Sequence, residues 1–422
     1  MARYLYYANN LSHKMPFFAF LLLFMSSLKQ QLNARAIFLI LGILLIALNL
    51  RLPFTGIAPV LPWIQKEFNL STTAVGFLTS LPLIAFAIFS PLSASIAKKF
   101  GIERTLFAAL MTIAFGILIR SGQSVWMTFS GTLLIGIGIA LGNVLLPGLI
   151  KRNFHSRAAS LTGAYSITMG AGGAIASATV IPLTATWGWH IALSIFVMAP
   201  VLALLVWIPQ LKNHETINVS KNNPHSSSAV WKSPLAWQVT LFMGLNAMPF
   251  YIAVGWLPTI LMDKGLSAAE AGSMHGSLQL ATAIPGLILA ATLRRMNDQR
   301  LAAVMVSLLS AIAFAGFAFT PKFALLWSLI LGFGCGASMM LGLTFIVLRT
   351  NTTEDAAVLS GMSQCIGYLM AASGPLLFGK LFDLFSDWTV PLLMTSIIAV
   401  MGAFSGIMAG RNKHIEHKSK LN

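Results

Sequence analysis

The chain has 422 residues, 57% of them hydrophobic and only 9% charged, with a mean hydropathy of +0.80. A soluble domain carries about 25% charged residues, so the bilayer is the natural solvent for this chain. A formal charge of +16 would suit a nucleic-acid binder, but all but two of the 27 Lys and Arg lie in tails, loops and a span end between apolar segments, which argues against that reading.

From the N-terminus, residues 1–35 form a tail. Within it Met15–Leu28 is apolar but, at 14 residues, short for a crossing. It reads as an interfacial or signal-like stretch, or as an over-long start with translation beginning at Met25. Twelve segments of membrane-spanning length follow: roughly 36–63, 72–97, 105–121, 124–150, 158–183, 189–209, 235–259, 268–292, 301–319, 323–348, 356–381 and 389–410. The connections are short except for 211–232, which is polar and rich in Ser and Asn and reads as a flexible cytoplasmic linker. The expected organisation is a six-helix bundle over 36–210, the linker, a second bundle over 233–410, and a tail over 411–422. With both termini on the cytoplasmic side, 21 Lys and Arg lie inside and four outside, a strong positive-inside bias. Cys335 and Cys365 fall within apolar runs and are expected to pack as small apolar side chains.

The two halves echo each other at an offset of 196 residues. Pro53 and Phe54 recur as Pro249 and Phe250; Leu61, Pro62 and Ile64 as Leu257, Pro258 and Ile260; Gly136 and Gly138 as Gly332 and Gly334. The loop KKFGIER at 98–104 aligns with RRMNDQR at 294–300. An even number of spans per half leaves the halves in the same orientation. That symmetry places a binding site near the midplane between them.

Arg51 stands out. The run 36–50 alone would reach only about 22 Å, too short to cross, so the span must continue through Arg51 and bury it. A guanidinium there is costly. It can offer a planar two-donor fork to a passing anion or nitro oxygen, or it can be a structural arginine bonded to carbonyls of a helix broken around Pro53 and Gly56. Thr55 lies one turn on. The eleven acidic residues all fall in loops, tails or the first turn of a span, so no buried-carboxylate proton relay is available. His275, with Gln279 at i+4, is the remaining titratable candidate for substrate contact or proton coupling. Gln364, Tyr368, Asn143, Tyr165, Asn246 and Tyr251 are further candidates, able to stack on a small ring and aim hydrogen bonds at it or to bond helices together. Trp256 reads as an interfacial-belt residue, and Arg120, near the end of span three, as a snorkelling side chain. The glycines of spans five and eleven read as close-packing positions.

Six plus six spans, a polar central linker and a short basic loop after spans two and eight resemble the major facilitator superfamily. Stretches such as LRLPFTGIAPVL (50–61), GIALGNVLLPGLIKR (138–152) and GWLPTIL (255–261) resemble its cyanate-porter branch. The resemblance implies an all-α membrane protein with twelve transmembrane helices, alternating access, and a cavity lined by spans four and five, which favours Asn143 and Tyr165. In the family's gating-loop motif Gly101 and Arg104 fit, but Lys98 stands where an acid is expected.

The expected activity is secondary transport of a small polar solute across a bacterial inner membrane. The resemblance narrows this to export of 2-nitroimidazole-type compounds, with uptake of cyanate or another small anion as the alternative. An embedded enzyme would need a nucleophile, an acid–base pair or a metal cluster, none of which the spans offer. No cofactor or metal is expected, and without a glycine–lysine phosphate loop, no ATP. The expected partners are the solute and the lipid bilayer, with the chain acting as a monomer.

Overall fold

The computed structural model describes residues 34–154, 157–212, 229–286, 288, 296 and 298–415. Most of the expected N-terminal tail, most of the linker, the last part of expected span eight, and the end of the C-terminal tail lie outside the described residues. What is described is helical, joined by turns. The helices are α1 (Ala34–Asn49), α2 (Leu52–Thr55), α3 (Leu61–Glu67), α4 (Thr72–Phe100), α5 (Ile102–Arg120), α6 (Val125–Asn153), α7 (Ala158–Ile195) and α8 (Met198–Trp207). After the linker come α9 (Pro234–Asp263), α10 (Ala268–Ala281), α11 (Arg300–Phe319), α12 (Ala324–Leu348), α13 (Thr353–Phe385) and α14 (Thr389–Ala409).

Among the described residues, ten stretches are long and apolar enough to cross a membrane. One of them, Ser160–Leu211, covers both the fifth and sixth expected spans. It turns at Gly188, whose φ of 76° suits glycine and interrupts α7. Expected span eight is represented by α10. Helix starts follow local chemistry: Ser71 caps α4 by accepting from the Ala74 amide, and Ser267 and Glu270 form a reciprocal capping box on α10.

The first span is not one straight helix. α1 ends at Asn49, Arg51 adopts a non-helical φ of −122°, and the chain resumes as the single turn α2 before a 3₁₀ turn at Ala58–Val60. Pro53 and Pro59 explain the interruptions, since neither can donate a backbone hydrogen bond. The break re-aims Arg51 away from the line of α1.

α4 packs along α13, and α7 along α10, so that elements from before the linker meet elements from after it. Small residues make these crossings possible. A Cβ on Gly76 would lie 2.4 Å from the Pro375 carbonyl oxygen, and one on Gly272 would lie 2.6 Å from that of Ser177. Gly379 meets the Thr72 carbonyl in the same way, whereas Gly361 faces open space. The α4–α13 contact is also polar: the Thr73 amide and hydroxyl both donate to Asp383, at 2.8 and 2.6 Å.

Trp256 is not at an interfacial belt. It is fully buried, donates its indole N–H to the Pro375 carbonyl at 3.0 Å, and packs against Phe378 and Trp388.

Candidate substrate site

The break at Arg51 delivers its guanidinium to the meeting point of α2, α7, α9 and α10. The guanidinium carbon sits 4.8 Å over the Phe250 ring, and Nη1 donates to Gln279 Oε1 at 3.3 Å. Among the described residues no carboxylate pairs with it. A cation over an aromatic face is held by the ring quadrupole, and the remaining N–H groups are left for other acceptors.

From Gln279 the hydrogen bonds run in one direction. Its Nε2 donates to His275 Nε2 at 3.2 Å. His275 Nδ1 meets Ser177 Oγ at 2.9 Å, and Ser177 already gives its hydrogen to the Gly173 carbonyl at 2.8 Å. The network therefore assigns the neutral Nδ1–H tautomer to His275. Thr55 closes the loop: its hydroxyl donates to the Arg51 carbonyl at 3.0 Å and shares the same hydrogen with Gly173 at 3.3 Å. Thr55 thus fastens α2 to α7 with its side chain turned to backbone. His275, Gln279 and Thr55 are all fully buried. Gly173 leaves the space that Gln279 fills, since a Cβ there would lie 3.0 Å from Gln279 Cγ.

Beside this chain lies a closed ring of four aromatic side chains from four elements. Phe54 meets Phe86 at 6.2 Å, Phe86 meets Tyr368 at 5.3 Å, Tyr368 meets Tyr251 at 6.3 Å, and Tyr251 returns to Phe54 at 5.9 Å between centroids. Three of the four contacts are edge-to-face, a favourable aromatic geometry. Arg51 lies within electrostatic reach of Tyr165, Tyr251 and Tyr368 as well as His275.

The other sequence candidates are placed differently. Asn246 is buried against α11 and α14; it accepts from Ser307 at 2.9 Å and donates to the Phe242 carbonyl. Gln364 is half-buried and donates to Ser360 one turn back. Asn143 is half-buried on α6 and joins no part of the Arg51 chain. Gly101 bridges α4 and α5 at a φ of 88°, and Arg104 is exposed. The ion pair beside that loop is made instead by Glu103 with Arg152. Sequence reasoning passed over Phe54, Phe86, Phe250 and Ser177. The shared Pro–Phe of the repeat, Pro53–Phe54 and Pro249–Phe250, was the available signal for two of them.

Arg120 does not snorkel. It is 1% exposed, and its Nη1 donates to the Pro53 carbonyl at 2.5 Å. The structural bond to the broken helix, considered above for Arg51, is therefore made by Arg120.

Comparison with known proteins places the chain in a family. The family model of the Major Facilitator Superfamily matches residues 39–375. The chain belongs to the major facilitator superfamily. It is 51% identical over 380 residues to the 2-nitroimidazole transporter of Escherichia coli K12, covering 90% of this chain and 97% of that one. It is 27% identical over 347 residues to the cyanate transport protein CynX of the same strain, covering 81% and 89%. The crystal structure of a D-xylose–proton symporter superposes with a TM-score of 0.70 over 87% of this chain and 96% of that one, at 14% identity, a likeness of fold alone. The protein is a multi-pass membrane transporter of this superfamily and not an enzyme.

Proposed function

We propose that this transporter exports small planar nitro-heterocycles of the 2-nitroimidazole type across a bacterial inner membrane, by alternating access between two six-helix halves. In this reading twelve helices cross the membrane and both termini are cytoplasmic, as the positive-inside bias suggests. The halves span 36–210 and 233–410, joined by the cytoplasmic linker.

The observation that carries the reading is a carboxylate-free Arg51 guanidinium over Phe250, which in turn packs against Tyr251 of the Phe54–Phe86–Tyr368–Tyr251 ring. A nitro-heterocycle has one oxygen-rich edge and two apolar faces. The guanidinium fork fits the edge and the aromatic side chains fit the faces. Arg51, Tyr165, Tyr251, Gln279 and Tyr368 are the proposed substrate contacts, with His275 behind Gln279. The similarity to the 2-nitroimidazole transporter supports the same class of solute.

His275 is the proposed coupling residue, acting through Gln279. A second proton makes both ring nitrogens donors. Gln279 must then turn its oxygen to the ring and its NH₂ to Arg51, where donor would face donor. Protonation of His275 thereby frees Arg51, which links the proton to solute binding without a buried carboxylate. The Thr73–Asp383 bonds would close the outer ends of α4 and α13 in this conformation, and the Trp256–Pro375 bond ties α9 to α13.

The test is flux of 2-nitroimidazole in proteoliposomes under an imposed pH gradient, with cyanate as competitor. Saturable flux that Arg51→Ala abolishes, and that cyanate does not inhibit, is expected. Cyanate flux without nitroimidazole flux would replace this reading with uptake of a small anion, which a cation lacking a carboxylate partner also suits.

A further inference from the structure

The Arg51 site leaves a second buried arginine unused. Arg120 ends α5 and spends one nitrogen, Nη1, on the Pro53 carbonyl. Its Nε and Nη2 are buried and have no hydrogen-bond partner among the described residues. No carboxylate pairs with it there. An uncompensated guanidinium with unmet N–H groups is among the least favourable things a protein can bury.

The side chain borders a cavity of about 10 Å³ between α2, α4, α6 and α9, lined also by Phe54, Thr79, Pro82, Thr132 and Tyr251. That volume is room for about one water; a halide would need the walls to yield by a few tenths of an ångström. Thr79 and Thr132 give their hydroxyl hydrogens to the Gly76 and Thr128 carbonyls. Apart from Tyr251, the other lining side chains are apolar. The unmet capacity at this cavity is donor capacity on a cation. A water could accept one bond but would leave the charge uncompensated.

We propose that the Arg120 cavity is a binding site for a compact anion: a halide-sized ion, or the negative oxygen end of a solute. It is separate from the Arg51 site but shares its wall, since Phe54 and Tyr251 belong to both the cavity lining and the aromatic ring. Pro53, which Arg120 holds, lies two residues from Arg51, so an anion at Arg120 bears on the same helix break.

The full-length protein, purified in detergent, is tested by thermal unfolding in sodium chloride against sodium gluconate at equal ionic strength, and separately with 2-nitroimidazole. Chloride at tenfold its dissociation constant is expected to raise the midpoint by about 2 °C. Arg120→Gln should lose this rise. Thr132→Leu, which fills the cavity and leaves the Arg120–Pro53 bond in place, should lose it too, and it decides the matter if Arg120→Gln does not fold. Arg51→Ala should keep it, so the failure of the Arg51 site and the failure of this one read differently. Stabilisation by 2-nitroimidazole and not by chloride, lost in Thr132→Leu but kept in Arg51→Ala, would identify the solute's own oxygen as the ligand. Equal midpoints in chloride and gluconate, with no cavity-dependent effect of 2-nitroimidazole, would overturn the proposal and leave a water-filled cavity.

Discussion

At one end of the molecule the two halves of the repeat solve the same problem with different chemistry. In the first, Glu103 at the start of α5 pairs with Arg152 at the end of α6, and the Glu103 carbonyl accepts from Trp207 at the end of α8. In the second, Gln299 at the start of α11 bonds Arg349 at the end of α12, and Arg349 also donates to the Ala409 and Gly410 carbonyls at the end of α14. Glu103 and Gln299 are 196 residues apart, the offset of the repeat. The opposite ends correspond as well: Glu67 accepts from the Trp189 indole, and Asp263 from that of Trp388. Where the first arginine meets a carboxylate, the second meets a neutral amide and two backbone carbonyls, with Asp298 within electrostatic reach. The repeat preserves where helices are clamped and lets the charge vary.

The centre behaves in the opposite way. The positions 196 residues from Arg51 and Arg120 are Ala247 and Gly316, and those matching His275 and Gln279 are Thr79 and Leu83. Arg51 comes from one half and its polar partner Gln279 from the other, whereas Arg120 bonds Pro53 of its own half. Symmetric ends hold the scaffold, and the proposed recognition site lies in the asymmetric centre.

Making the centre symmetric should therefore cost most. Arg51→Ala, the residue of the other half, is expected to lower 2-nitroimidazole flux at least about 100-fold, equivalent to about 3 kcal/mol, with the protein still inserted and folded. Arg51→Lys should fall nearly as far, because a point charge lacks the fork. Flux by Arg51→Ala at the wild-type rate would remove Arg51 from the site. Gln279→Leu, again the residue of the other half, leaves Arg51 without its neutral anchor and His275 without its donor. A drop of about tenfold is expected in the same assay. His275→Gln should flatten the pH profile of flux while changing the half-saturating concentration by less than about threefold. An unaltered pH profile would make His275 a packing residue only.

The sequence exposed those residues for a physical reason. A charge or amide inside an apolar span is costly, so Arg51, His275 and Gln279 stand out against their surroundings. An aromatic ring in the same span has no such contrast, which is why Phe86 reads as core until the fold sets it beside Tyr368. Arg120 was misread because it lies near the end of its span, where a long side chain usually reaches the interface. Only the break in the first span, which carries the Pro53 carbonyl to Arg120, reverses that. Asn246 had the polarity of a site residue, but its partner is Ser307 on the neighbouring α11, and nothing in the one-dimensional pattern distinguishes the two fates. The repeat, by contrast, was readable from Pro, Gly and basic-loop positions, because each constrains backbone or topology.

The clamps are expected to affect stability and leave flux little changed. The Glu103 side chain is 4% exposed and that of Arg152 26%, so deleting the acid strands a partly buried cation. Glu103→Ala is expected to cost about 3 kcal/mol of stability. Glu103→Gln recreates the chemistry of the second half and keeps an acceptor for Arg152. It should cost only about 1 kcal/mol, the difference between a charge-assisted and a neutral hydrogen bond. The reverse exchange, Gln299→Glu, should gain little, since the Ala409 and Gly410 carbonyls already receive Arg349. Thermal unfolding of the three variants side by side measures the asymmetry. If Glu103→Gln proved as damaging as Glu103→Ala, net charge and not hydrogen bonding would hold the first clamp, and the two clamps would be alike in shape only.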